Sequence, residues 1–113
     1  MVEYHRDLDA VFAAVADPTR RAILAALARK AATVTQIAKP FPVSLNAISK
    51  HLMVLERAGL IRRKVTGRQH HCSIEAKRLQ VAAAWFDHYR MFWEERLDSL
   101  ERHLVARRKR PHS

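Results

Sequence analysis

Residues that form turns are scarce in this sequence. It contains two glycines and four prolines among 113 residues, about 5% of the chain where globular proteins average ~12%. A many-stranded sandwich or barrel needs frequent turns, and this scarcity argues against one. With 49% hydrophobic and 28% charged residues, the chain is expected to be folded. The scarcity of turn-forming residues predicts that it is mainly α-helical, and its length predicts one domain over residues 1–113.

Two helices are predicted in the first thirty residues. Apolar side chains recur at helical spacing over residues 7–16 and predict the first helix. Asp17 carries a side-chain oxygen that can cap a second helix, and Pro18 suits the first helical position because no N–H partner is needed there. The second helix is predicted to end near Lys30.

Two further helices, within residues 36–58, match the spacing of a helix-turn-helix. Thr33 has the spacing of a capping box for the short third helix, and Thr35 is an alternative cap that the sequence leaves open. Ser44 is predicted to cap a fourth helix over residues 45–58. The side chains predicted to form the core face of that helix are Leu45, Ile48, Leu52 and Leu55.

A β-hairpin and one long helix are predicted to complete the chain. Two short extended runs flank Thr66-Gly67-Arg68-Gln69, as expected for a hairpin with a Gly-containing turn. Residues 76–107 then continue at helical periodicity without an internal Gly or Pro. The predicted order is α-α-α-α-β-β-α, which is mainly α with a small hairpin wing.

Positive charge is concentrated in the middle of the chain. Residues 39–78 hold nine basic and two acidic side chains, a net charge of +7. Such a segment is typical of a protein that binds a polyanion, although a solvated basic surface would have the same charge. A membrane partner is not expected, because the longest apolar runs have seven residues and a span needs about 20. The first residues also lack an apolar signal segment, so the cytosol is the expected compartment.

The fourth helix and the hairpin carry the side chains expected to contact DNA. Opposite the core face of the helix lie Asn46, Ser49, Lys50 and Met53, with His51 at the flank, and amide, hydroxyl and ammonium groups there suit base and phosphate contacts. Arg68 at the hairpin tip suits a narrow minor groove. The alternatives are an ordinary exposed polar face and an edge hairpin that its charges keep soluble.

Three segments resemble the ArsR family of bacterial winged-helix repressors. They are DPTRRAILAAL, SLNAISKHLMVLERAGLIRR and the wing TGRQHH. The ending AAAWFDHYRMFWEERLDSLE is similar to the SdpR-like subgroup, which lacks the metal site of the founding members. The resemblance implies a winged helix-turn-helix that acts as a homodimeric repressor on double-stranded operator DNA in the bacterial cytoplasm, associated with the nucleoid. By position, it implies operator contacts from Ser44, Asn46, Ser49, Lys50, His51, Lys64 and Arg68.

The last helix predicts a second copy of the chain as a partner. At about 1.5 Å per residue, residues 76–107 would span ~48 Å, more than the remaining residues can cover. Its apolar side chains repeat every seven residues, and leaving them in water would promote aggregation. With a basic tail over residues 107–113, the predicted dimerisation helices are 7–16 and 76–107. The interface residues are predicted to be Leu8, Phe12, Phe86, Tyr89, Trp93, Leu97 and Leu100.

No metal, cofactor or enzymatic activity is predicted. Cys72 is the only cysteine, and it lacks a neighbouring loop that would supply oxyanion donors. The third-helix segment TQIAKPF has no cysteine ligand, and Tyr89 stands two residues after Asp87, where metal sensors of the family have a histidine. Two alternatives stay open, namely a metal- or ligand-responsive sensor of the same fold and a non-specific architectural nucleic-acid binder.

Overall fold

The computed structural model describes residues 2–109, with side chains described from residue 7 to residue 108. The predicted mainly helical class is confirmed, and so is the predicted order apart from one additional short strand. The elements are α1 (Val2–Val15), α2 (Pro18–Arg29), β1 (Ala32–Thr33), α3 (Val34–Ala38), α4 (Leu45–Arg57), β2 (Ile61–Thr66), β3 (Gln69–Ile74) and α5 (Ala76–Lys109).

Two helix boundaries differ from the prediction by more than one residue. The start predicted at residue 7 is wrong, since α1 begins at Val2; residues 2–6 contain no Gly or Pro that would stop the helix from extending. At the other end, α5 continues to Lys109. The predicted basic tail beyond Lys109 lies outside the described residues. None of the helices among residues 2–109 combines the length and apolar character that crossing a bilayer requires.

The hairpin forms as predicted, but within a three-stranded antiparallel sheet. β2 and β3 pair from Ile61 opposite Ile74 to Thr66 opposite Gln69. β1 pairs with the other edge of β3, with Ala32 opposite Cys72, so the strand order is β1-β3-β2. β1 has two residues and no alternating pattern of its own, and only its pairing with a distant strand defines it.

Side-chain caps fix the starts of three helices. Asp17 accepts a hydrogen bond from the Arg20 amide at 2.9 Å, and Ser44 accepts one from the Ala47 amide at 3.1 Å. Thr33, rather than Thr35, caps α3 through a complete capping box with Gln36. These caps satisfy amide groups that have no partner inside the helix, so they set where each helix begins.

The chain divides into two compact units, one up to Ala82 and one from Ala83 onward. The first unit contains the three-stranded sheet and α1 to α4. Its core is formed by fully buried aliphatic side chains from three elements and the segment that follows α4, namely Val11, Ile23, Ile48, Leu52, Leu55 and Leu60. The second unit consists of the helical residues of α5 from Ala83 to Lys109.

The prediction that Leu45 belongs to the core is wrong. Ile48, Leu52 and Leu55 of the same predicted stripe are completely buried, but Leu45 is 50% exposed. Leu45 is the first residue of α4 and lines an open groove at the start of the helix. Periodicity identified the correct face of the helix but not how far along that face the core extends.

The backbone conformation of Gly59 favours glycine, and the Arg78 side chain lies close to it. Its φ is +75°, and a Cβ built there would lie 2.7 Å from Cδ of Arg78. The Arg78 guanidinium donates from Nη1 to the Ala58 carbonyl at 3.1 Å, and its Nη2 lies 3.6 Å from Oδ1 of Asp7. Arg78, in the first turn of α5, therefore links the end of α4 to α1, and its side chain lies next to Gly59.

We expect Gly59→Ala to destabilise the protein more than Gly67→Ala, its matched control. Both glycines have positive φ, which costs a residue with a Cβ about 1–2 kcal/mol, but Gly67 has open space around it. The expected loss in the free energy of unfolding is ~1 kcal/mol for Gly67→Ala and ~2–3 kcal/mol for Gly59→Ala. Urea denaturation measures both. Equal losses would contradict a structural role for the Arg78 contact.

Candidate nucleic-acid interface

A groove of about 470 Å³ separates the start of α4 from the wing formed by β2 and β3. One wall comes from α3, α4 and the residue before α3, and the other from the hairpin. The residues that line this groove are Thr33, Val34, Thr35, Leu45, Ser49, Arg63, Arg68, Gln69 and His70. The fold thus places the N-terminal half of the second helix of the helix-turn-helix beside the tip of the wing.

The predicted contact residues of α4 are accessible to different degrees. Asn46 and Lys50 are exposed, and Ser49 is half-buried where it lines the groove. Ser44 is exposed, but its hydroxyl oxygen is engaged as the cap of α4. Asn46, Ser49 and Lys50 therefore present side chains near the helix N-terminus, the part of a recognition helix that contacts base edges.

His51 lies in a contact network within the protein. Its Nδ1 is 3.3 Å from Nη1 of Arg20 and 3.9 Å from Oδ2 of Asp17. Arg20 also donates from Nε to the Ala14 carbonyl at 2.6 Å. His51 thereby links α4 to the junction of α1 and α2. A DNA contact by His51 stays a prediction, and it would have to come from the opposite edge of the ring.

The same network favours the ionised form of Asp17. The hydrogen bond from the Arg20 amide is the largest cause that lowers the pKa of Asp17 below its ordinary value of 3.8. Burial, the second-largest cause, raises this pKa, and the nearby His51 and Arg20 charges lower it. The Asp17 carboxylate that caps α2 is therefore ionised except at acidic pH. A negative charge at a helix N-terminus is favourable.

The wing cations fall into two groups. Arg62 Nε lies 2.5 Å from a Glu75 carboxylate oxygen, and Arg63 Nε lies 3.7 Å from Oε2 of Glu56. Lys64 and Arg68 are exposed, and within residues 7–108 neither has an ion-pair partner. Their charges are available to an external anion, whereas the charges of Arg62 and Arg63 are partly neutralised by Glu75 and Glu56.

The histidines and the cysteine of β3 lie in different surroundings. Cys72 is completely buried, while His70 and His71 are exposed. Among the described side chains, no three His, Cys, Asp or Glu residues are close enough together to hold one metal ion. Cys72 is a core residue that lies opposite Arg63 in the sheet and near the Glu56 charge.

We expect the Cys72 thiol to be unreactive in the native protein. Burial raises its pKa above the ordinary 9.0, with the Arg63 charge acting weakly in the opposite direction. At pH 8 the thiol is then neutral and shielded, so iodoacetamide should label it slowly in buffer and rapidly in urea. Because the folded-state pKa is raised, the contribution of Cys72 to stability is complete below pH 9 and is lost as the pH rises through the raised pKa. Fast native labelling would contradict this expectation.

A separate apolar surface lies on the second unit. The predicted interface residues Phe86, Tyr89, Trp93, Leu97 and Leu100, here called the apolar stripe, are between 44% and 61% exposed. At 3.6 residues per turn they fall within roughly 80° of the helix circumference. On α1, Phe12 is half-buried. Leu8 is only 4% exposed, so its side chain belongs to the core of the first unit and offers a partner almost no surface.

A helix-turn-helix followed by a two-stranded wing defines a winged helix-turn-helix protein. Comparison with known proteins agrees, since residues 15–64 match the family model described as a helix-turn-helix domain. The crystal structure of an ArsR family transcriptional regulator superposes with a TM-score of 0.73 at 42% sequence identity, covering 79% of this chain and 92% of the other.

Two characterised relatives have similar sequences. The transcriptional repressor SdpR of Bacillus subtilis is 37% identical over 75 residues, 66% of this chain and 83% of SdpR. The HTH-type transcriptional regulator Rv2034 of Mycobacterium tuberculosis is 44% identical over 57 residues, 50% of this chain and 53% of Rv2034, so the match spans about half of that relative. The chain belongs to the ArsR family of winged helix-turn-helix transcriptional regulators, a family of regulators and not of enzymes.

Proposed function

We propose that the protein is a homodimeric repressor that binds an inverted-repeat operator in double-stranded DNA. The observation that carries this proposal is the groove between the start of α4 and the wing, with polar side chains of α4 on one wall and the wing tip on the other. In this arrangement α4 enters the major groove, and Arg68 reaches the adjacent minor groove. The protein would act at the nucleoid in the bacterial cytoplasm.

Exposed cations of α4 and the wing supply the affinity. Lys50, Lys64 and Arg68 are exposed, and they belong to the segment with a net charge of +7. Lys50 and Lys64 suit phosphate oxygens, and each phosphate contact releases counterions from the DNA. Binding should therefore weaken steeply as the salt concentration rises, whatever the base sequence.

Dimerisation supplies the two-fold symmetry of the operator. The apolar stripe of α5 places five exposed large side chains on one side of the helix, and a second copy would remove them from water with help from α1. A two-fold dimer places its two recognition helices at half-sites about 10 base pairs apart, or a multiple of that distance.

Selection of DNA fragments from a random pool by the purified protein tests the proposal. A repressor of this kind should enrich one inverted repeat and bind it at least ~1,000-fold more tightly than random duplex at physiological salt. A protein that retains DNA without enriching any sequence would be an architectural binder, and the operator proposal would be wrong.

A further inference from the structure

Leu45 stands out because an apolar side chain occupies a position otherwise suited to DNA contacts. Single exposed apolar residues are ordinary on protein surfaces, so exposure by itself decides nothing. The position of Leu45 is informative, however, because it lines the same groove as Ser49 of α4 and Arg68 of the wing. It is also the first residue of α4, directly after the cap at Ser44.

The spacing along α4 places Leu45 and Ser49 side by side. Residues four apart on a helix have their Cβ atoms about 5–6 Å from each other on one face. A base pair contacted by Ser49 therefore has a neighbouring base pair within reach of Leu45. Val34 of α3, which is half-buried, lines the groove as well, so the apolar surface at this point extends beyond one side chain.

We infer that Leu45 selects thymine at one position of each operator half-site, by packing against its 5-methyl group. Each base pair offers hydrogen-bonding groups in the major groove, but the thymine methyl is the one apolar group there. A leucine cannot hydrogen-bond to a base edge, and placing it against a polar edge would leave that edge without its water. The inference rests on the proposed function, since it requires α4 to lie in the major groove.

Replacing thymine by uracil in the operator removes only the methyl group, so it tests the inference directly. With a selected operator, each thymine of both half-sites is exchanged in turn, and the affinity of the wild-type and Leu45→Ala proteins is measured. At one position, uracil should weaken wild-type binding about fourfold per half-site, the value of one buried methyl group. Leu45→Ala should bind the original operator at least that much more weakly and show no further loss with uracil.

Val54→Ala is the matched control. Val54 is also an exposed aliphatic residue of α4, at 37%, but nine residues after Leu45 it points to the opposite side of the helix. This variant should keep both the wild-type affinity and the wild-type response to uracil. Circular dichroism melting checks that both variants remain folded, which the exposure of the two side chains favours.

The outcomes separate this inference from the proposed function. If the wild-type protein does not distinguish the selected operator from random DNA, the proposed function fails and thymine selection fails with it. If it does distinguish them, but no thymine-to-uracil exchange weakens binding, Leu45 does not contact a methyl group. Retention of the full uracil effect in Leu45→Ala would assign the methyl contact to another residue and equally overturn the inference.

Discussion

Trp93→Glu is expected to convert the protein from a dimer to a monomer. Trp93 lies within the apolar stripe and is 61% exposed in the single chain, so a partner that covers the stripe would bury most of it. Each of two Trp93 side chains is worth about 1.5–3 kcal/mol on burial, and a carboxylate in the same place adds a desolvation cost. Sedimentation should show that the dimer dissociates at least about 100 times more readily.

Met91→Glu is the control for this change. Met91 is 62% exposed on the same helix, yet two residues before Trp93 it faces the other side, about 160° away. The added charge and the loss of an exposed apolar side chain are comparable, so this variant should remain dimeric. A wild-type protein that sediments only as a monomer at micromolar concentration would rule out the dimer, as would equal dissociation of the two variants.

The sequence predicted those parts of the fold that depend on local interactions. Gly59 and Gly67 have positive φ where α4 ends and where the hairpin turns, and the caps at Asp17 and Ser44 begin their helices. Such features require only residues a few positions apart. β1 was not predicted, because its pairing partner, β3, lies about forty residues further along the chain.

The candidate site shows the same division between local and distant effects. Periodicity assigned Leu45 to the core because a helical pattern marks a face and not the length over which other elements cover it. Likewise, the contact between His51 and Arg20 joins residues 31 positions apart. No local motif connects the two, although the short DPTR segment at the start of α2 contains both partners of His51. From the sequence alone, His51 could therefore contact either DNA or another part of the protein.

Asn46→Ala should weaken binding to the operator but not to random DNA. Asn46 is exposed near the start of α4, and an asparagine amide can form two hydrogen bonds with adenine in the major groove. Its removal should cost about 1–3 kcal/mol on the operator, or roughly 5- to 150-fold in affinity, and relax the base preference at one or two positions of each half-site. Titration of operator and random duplexes at two salt concentrations measures this directly.

Lys64→Ala and Arg68→Ala complete the comparison with Asn46→Ala. These two exposed cations should recognise the phosphate backbone of the DNA and the shape of its minor groove, and not individual bases. Without a presumed phosphate contact, Lys64→Ala should bind both duplexes more weakly to a similar extent, with a salt slope smaller by roughly one. Arg68→Ala should lose most affinity where the flanking sequence is rich in A·T pairs, since a narrow minor groove attracts arginine.

If Asn46→Ala weakened binding to operator and random DNA equally, it would behave like Lys64→Ala. Asn46 would then hold the DNA without selecting its sequence, and non-specific architectural binding would account for the protein better than repression of an operator.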